Sequence, residues 1–181
     1  MNQALLIIDI QNDYFEGGLS PLCDPLSALA NAEAALGQFR AAGLPVIHVQ
    51  HVNTREGATF FLPDTDGVQI HKNLTPHEDE FIVVKHTPNS FYQTNLTEII
   101  NWNKIASLVV CGMMSHMCID TTVRAAKDHD LSVTLLEDAC TTKDLSFSGE
   151  QIEAKTVHKT FIAALNGIFA KVIKTNELIL D

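Results

Sequence analysis

The sequence predicts an α/β fold: a single doubly wound, Rossmann-like domain with a six-stranded, mainly parallel sheet and helices on both faces. Three observations lead there. Short apolar, β-branched runs alternate with longer amphipathic segments from Ala4–Ile10 through to Ala170–Lys174. The runs are continuously hydrophobic rather than alternating, as expected of strands buried on both faces. Most successive runs are separated by enough residues for a crossover helix, which parallel pairing requires. At 181 residues the chain has the length of one domain, taken as residues 1–181.

Ala4–Ile10 (ALLIIDI) is short enough to be a buried strand. Ser27–Ala42 reads as a helix, with Leu29, Ala32, Leu36 and Phe39 three or four residues apart and Gly43 as its stop. Pro45 opens a second strand, Val46–His51, and a long loop follows from Val52 to about Glu80. Phe81–Lys85 is a third strand, Asn95–Asn101 a short helix and Ile105–Cys111 a fourth strand. After a Gly-Met-Met-Ser-His turn, Cys118–His129 reads as a helix, and Leu131–Leu136 as the fifth strand. A loop, a helix around Gly149–Leu165 and a short sixth strand at Ala170–Lys174 complete the pattern.

Twelve Lys and Arg stand against 22 Asp and Glu, a formal net charge of −10. That balance argues against nucleic-acid and anionic-membrane surfaces, which need clustered cations. No apolar run approaches the ~20 residues of a membrane span. Met1–Asp9 carries no basic residue ahead of its apolar stretch, unlike an export signal. The four cysteines, Cys23, Cys111, Cys118 and Cys140, are irregularly spaced, so reduced thiols and a cytoplasmic location are expected.

Doubly wound sheets bind ligands outside the carboxyl ends of their strands. The strand ends here offer Asp9, His51, Lys85, the Cys111–Cys118 turn and Asp138–Cys140. Asp9 follows four apolar residues; a carboxylate buried there needs a cation or hydrogen bonds, or else caps a turn with Asn12 and Asp13. Lys85 ends its strand in the same way, and either snorkels to solvent or meets a partner. Each of these two supplies what the other requires. Cys118 opens a predicted helix, where unpaired N–H groups favour a thiolate and can hold an oxyanion, although such a cysteine can also be a small core residue. Two metal constellations compete. Cys111, His116 and Cys118 are spaced by five and two, unlike a tetrahedral zinc site, and His48 and His51 point to opposite faces of a strand. No Cys-x-x-Cys occurs. Neither a metal nor any other cofactor is expected.

Three stretches in order, Leu5-Leu6-Ile7-Ile8-Asp9-Ile10-Gln11-Asn12-Asp13, Val84-Lys85-His86-Thr87-Pro88-Asn89-Ser90-Phe91 and Val110-Cys111-Gly112-Met113-Met114-Ser115-His116-Met117-Cys118, resemble the isochorismatase-like cysteine hydrolase superfamily. That superfamily includes nicotinamidases, N-carbamoylsarcosine amidases, ureidoacrylate amidohydrolases and isochorismatases, and the likeness runs along essentially the whole chain. The resemblance implies a catalytic triad of Asp9, Lys85 and Cys118, in which Cys118 attacks a carbonyl and forms a thioester. It also implies a non-proline cis peptide at Met113–Met114, and an oxyanion hole made by the backbone N–H groups of Met114 and Cys118. A small-molecule substrate and a homo-oligomer, dimer or tetramer, are implied in the same way.

Departures narrow the subclass. The nicotinamidase Asp-x-His metal motif is replaced by His48-Val49-Gln50-His51-Val52-Asn53. Cys118 is present, whereas isochorismatases that cleave a vinyl ether often lack that cysteine. The Gly112–Cys118 turn and Gly57-Ala58-Thr59-Phe60-Phe61-Leu62-Pro63 resemble streptothricin-hydrolase-like members most closely. Phe15, Phe60, Phe61, Phe91 and His116 are candidates for the substrate walls, with core or oligomer packing as the alternative for each Phe. The expected activity is therefore cysteine-dependent hydrolysis of a small non-peptide amide, with a Cys118 thiol titrating well below the free value of ~8.5. The competing readings are vinyl-ether hydrolysis driven by Asp9 and an idle oligomeric binding protein of the same fold.

Overall fold

In the computed structural model, which describes residues 2–180, the N-terminal apolar run forms β1 (Gln3–Ile8) and is buried along its whole length. The chain continues through α1 (Pro25–Ala42), β2 (Val46–His51), β3 (Phe81–Lys85), α2 (Leu96–Trp102), β4 (Ser107–Met113), α3 (Asp120–Asp128) and β5 (Ser132–Thr141). A small hairpin, β6 (Leu145–Phe147) and β7 (Glu150–Ile152), precedes α4 (Ala154–Leu165) and β8 (Lys171–Ile173). The main sheet is six-stranded and parallel in the order β3-β2-β1-β4-β5-β8. Among the described residues no helix is long and apolar enough to cross a membrane.

The pleat of β1 divides the core. Ala4, Leu6 and Ile8 join the cluster packed under α2, α3 and α4, while Leu5 and Ile7 join the one under α1. The chain steps from β1 outward through β2 and β3 and then returns to β4 on the other side of β1, so the carboxyl ends of β1 and β4 frame a topological switch point. The 52–80 loop is tied back to the sheet at its end. Glu80 accepts from the Arg40 guanidinium at 2.6 and 2.9 Å and from His48 Nε2 at 2.8 Å. Burial pushes the Glu80 carboxyl up, but hydrogen bonds from Arg40, the His77 backbone and His48 outweigh it and bring it down to about 2.

Several elements differ from the sequence reading. The predicted Cys118–His129 helix is divided into a π-helical turn, Ser115–Ile119, and α3. β5 runs on to Thr141, past a register shift opposite Val110–Gly112, so Cys140 lies in a strand rather than a loop. The β6–β7 hairpin occupies the start of the predicted Gly149–Leu165 helix, because Ser148 and Gly149 both take positive φ and turn the chain. Its strands have three residues each, too few to display a period of two. α1 starts at Pro25, two residues earlier than Ser27, after Asp24 in the left-handed region.

Gly112 pairs with Ile8 in the sheet at φ +137, and a Cβ there would overlap the Ile8 carbonyl. Gly112→Ala is therefore expected to cost about 2–4 kcal/mol, read as a lowered urea midpoint. The same change at Gly37, in α1 with nothing near its Cβ position, is expected to stabilise by up to about 1 kcal/mol.

Candidate active site

β1 delivers Asp9 in the left-handed region (φ 53), which Asp tolerates better than most residues, and ends the strand there. Asp9 is fully buried. Its cation comes from β3, two strands away, roughly 9–10 Å at the usual strand spacing. A lysine is long enough to cover that span beneath the end of β2. Lys85 is also fully buried, and its Nζ lies 2.7 Å from Asp9 Oδ2.

The same ammonium meets Cys118 Sγ at 3.1 Å, the Thr87 carbonyl at 3.1 Å and His51 Nδ1 at 3.0 Å. A lysine only donates, so His51 accepts at Nδ1 and carries its proton on Nε2. Burial, then the charges of Lys85, His86 and Arg55, lower the His51 pKa to about 3, which keeps the ring neutral. Asp9, His51 and Cys118 bring ligand atoms within 4.8 Å of one another, a grouping of metal-site size. The cation this grouping surrounds is the lysine's own ammonium.

Cys118 stands inside the π-helical turn rather than at a helix N-terminus. The Met113–Met114 peptide before it is cis, as the resemblance implies, and the Met114 carbonyl accepts from Met117 and Ile119 at 3.0 and 3.2 Å. Burial, then the Asp9 charge, push the Cys118 thiol above its ordinary value by more than Lys85 offsets. Burial also raises Asp9 despite Lys85 and Cys118, and Lys85 itself lies above its usual value because Asp9 and Cys118 outweigh its desolvation. The resting state is a carboxylate, an ammonium and a neutral thiol. This corrects the expectation of a resting thiolate: the helix-terminus effect is missing and a carboxylate takes its place.

A cavity of about 200 Å³ opens onto Cys118, walled by Tyr14, Phe60, Pro88, Met114 and Met117, with His51, Asn53 and Arg55 as its other polar side chains. Of the substrate-wall candidates, Phe60 lines it. Phe61 is buried behind it against Tyr14 and His51, with ring centroids at 4.6 and 6.0 Å. The other three stand elsewhere. Phe15 packs on His71 beside a separate cavity, Phe91 stacks on His129, and His116 contacts Thr142 and Phe161. Chain position alone puts each near the strand ends, and local packing turns it away from the cavity. Tyr14, Asn53, Arg55, Pro88 and Met117 are not among the sequence candidates, and His51 is there only as a strand end and one of a histidine pair; the polar residues His51, Asn53 and Arg55, each two apart, were the available signal. Cys111 and Cys140 are buried and pushed up by burial, Cys140 to about 12, while Cys23 is exposed.

The first turn after β1 holds the pocket in shape. The Gln11 side chain donates to the His51 and Val68 carbonyls at 2.9 and 2.6 Å and accepts from His51 N–H at 2.8 Å. Asp13 accepts from the N–H groups of Phe61 at 2.6 Å and Leu19 at 3.1 Å.

Known proteins share this fold and much of this sequence. A sequence model of the Isochorismatase domain matches residues 3–177. An uncharacterized isochorismatase family protein of Bacillus subtilis (strain 168) is 49% identical over 180 residues, covering 99% of each chain. The crystal structure of an isochorismatase from Pseudomonas putida KT2440 superimposes with a TM-score of 0.92 at 38% identity, covering 98% of this chain and 90% of that one. A streptothricin hydrolase of Streptomyces noursei is 33% identical over 143 residues, 79% of this chain and 56% of its own.

Lys85→Met leaves Asp9 buried without a cation and is expected to cost about 3–5 kcal/mol. The Asp9→Asn/Lys85→Met double variant removes both charges and should recover most of that loss. Urea unfolding of Lys85→Met, Asp9→Asn and the double variant measures the coupling.

Proposed function

This chain belongs to the isochorismatase family of hydrolases, and we propose that it hydrolyses a small non-peptide amide through a thioester on Cys118. The observation that carries this reading is the single buried cluster in which Lys85 Nζ lies 2.7 Å from a carboxylate and 3.1 Å from a thiol. The likeness to a streptothricin hydrolase supports hydrolytic chemistry on a small molecule.

In the proposed reaction, Cys118 Sγ attacks the amide carbon as its proton passes to Asp9. Lys85 stabilises the developing thiolate character, with one of its N–H groups available for the sulfur. The carbonyl oxygen becomes an oxyanion held by the backbone N–H groups of Met114 and Cys118. Asp9 then protonates the leaving nitrogen, the C–N bond breaks and the amine departs. A water molecule, its proton taken by Asp9, adds to the thioester carbon. Collapse of that second adduct breaks the C–S bond, releases the acid and returns the proton to sulfur.

The pH dependence follows from the neutral thiol. With Lys85 charged, Asp9 and Cys118 share one proton, and the pair loses its other proton at the raised carboxyl of Asp9. The reactive form is therefore present above that raised value and lost as pH falls through it. Cys118 alkylation by iodoacetamide, followed by mass spectrometry, is expected to rise through a midpoint above ~4 and below the ~8.5 of a free thiol. Asp9→Asn should lower the rate at pH 7 by roughly 100-fold, the low end for a lost general base.

Assayed over a panel of small primary amides, Cys118→Ala and Asp9→Asn should each abolish turnover to below about 1% of wild type. Retained hydrolysis in Cys118→Ala with loss in Asp9→Asn would instead indicate vinyl-ether chemistry driven by protonation from Asp9.

A further inference from the structure

We propose, resting on the amide-hydrolase reading above, that the substrate carries a carboxylate at its non-reacting end, read by Arg55 with the Nε2–H of His51 beside it. The charges around the cavity support this. Asp9 and Lys85 cancel, Cys118 rests as a thiol and His51 is held neutral. Among the described residues no acidic side chain lines the cavity, and Arg55 is the one full charge that does. Among the described residues no carboxylate lies within ion-pairing distance of Arg55, although the chain as a whole carries a formal charge of −10. The cavity therefore presents one uncompensated positive charge.

Its polar side chains are arranged to donate. His51 Nδ1 is occupied by Lys85, which leaves Nε2–H as its remaining hydrogen-bonding group. Asn53 Oδ1 accepts from the Arg55 N–H at 3.4 Å, which turns the chain and leaves the Asn53 amide nitrogen free to donate. Residues 51, 53 and 55 thus contribute an imidazole, an amide and a guanidinium to a cavity otherwise lined by Tyr14, Phe60, Pro88, Met114, Met117 and Cys118. A carboxylate is acceptor-only and matches this set, with a guanidinium as its best-fitting partner. The volume of about 200 Å³ lies below the ~300–1,000 Å³ of ordinary ligand pockets, so the amide is small.

Iodoacetate and iodoacetamide are near-isosteric electrophiles that differ in the carboxylate, so Cys118 itself reports the selectivity without a known substrate. The full-length protein is treated with each reagent at pH 8, and the alkylation rates at Cys118 and at exposed Cys23 are read by mass spectrometry. The iodoacetate-to-iodoacetamide ratio is expected to be about tenfold higher at Cys118 than at Cys23, a Coulombic effect of partly screened charges. Arg55→Met should bring the two ratios together, while Arg55→Lys should retain most of the difference. A Cys118 that reacts with iodoacetamide but shows a ratio no higher than Cys23 overturns this inference and leaves the nucleophile in place. An excess that persists in Arg55→Met also overturns it, because the selectivity then has another source. A Cys118 inert to both reagents while Cys23 reacts overturns the nucleophile assignment, and this inference with it.

Discussion

The ion pair between Lys85 and Asp9 joins two fully buried charges at 2.7 Å, and the geometry of the site is organised around it. Either charge alone in that position would carry a large desolvation cost. The cost is met by crowding partners onto the ammonium. Asp9, His51, the Thr87 carbonyl and Cys118 surround a group with three protons to donate. Three hydrogen-bonding partners and the Asp9 carboxylate thus share one ammonium. As negative charge develops on the sulfur, a donor is already 3.1 Å away and no side chain has to be recruited from solvent.

The sheet order makes this pairing possible. β2 lies between β3 and β1, so the lysine must cross beneath one strand end to reach the aspartate. That strand ends in His51, whose Nδ1 accepts from the lysine ammonium. On the other side of β1, β4 passes so close that only a glycine fits opposite Ile8, and the turn that follows brings Cys118 over Asp9. The reactive groups of three separate segments thus converge at one topological switch point. Glu80, with Arg40 and His48, fixes the far end of the 52–80 loop, while Gln11 and Asp13 fix its near half.

Burial has a chemical consequence as well as a structural one. Desolvation raises both Asp9 and Cys118, so the site stores a proton on sulfur and a base beside it rather than a free thiolate. A helix N-terminus at Cys118 would have favoured the ion. The π-helical turn aligns the cysteine differently, and a carboxylate neighbour reverses the sign of the local effect.

Much of this was legible in the sequence. Continuous apolar runs such as Ala4–Ile8 identify strands buried on both faces, because only such strands can omit polar residues for that length. Charges placed directly after those runs, at Asp9 and Lys85, identify each other, because neither is tolerable alone. The composition and spacing therefore determined the fold class and the strand ends that matter, and three motifs carry the family resemblance. The tertiary structure decided what depends on distances between remote segments. It placed the Lys85 ammonium within reach of His51 and turned Phe15, Phe91 and His116 away from the cavity. It brought Asn53 and Arg55 into the cavity, and it set the direction in which Cys118 titrates. The reason is physical: periodicity reports whether a residue is buried, whereas its charge state and its neighbours depend on which other strands arrive beside it.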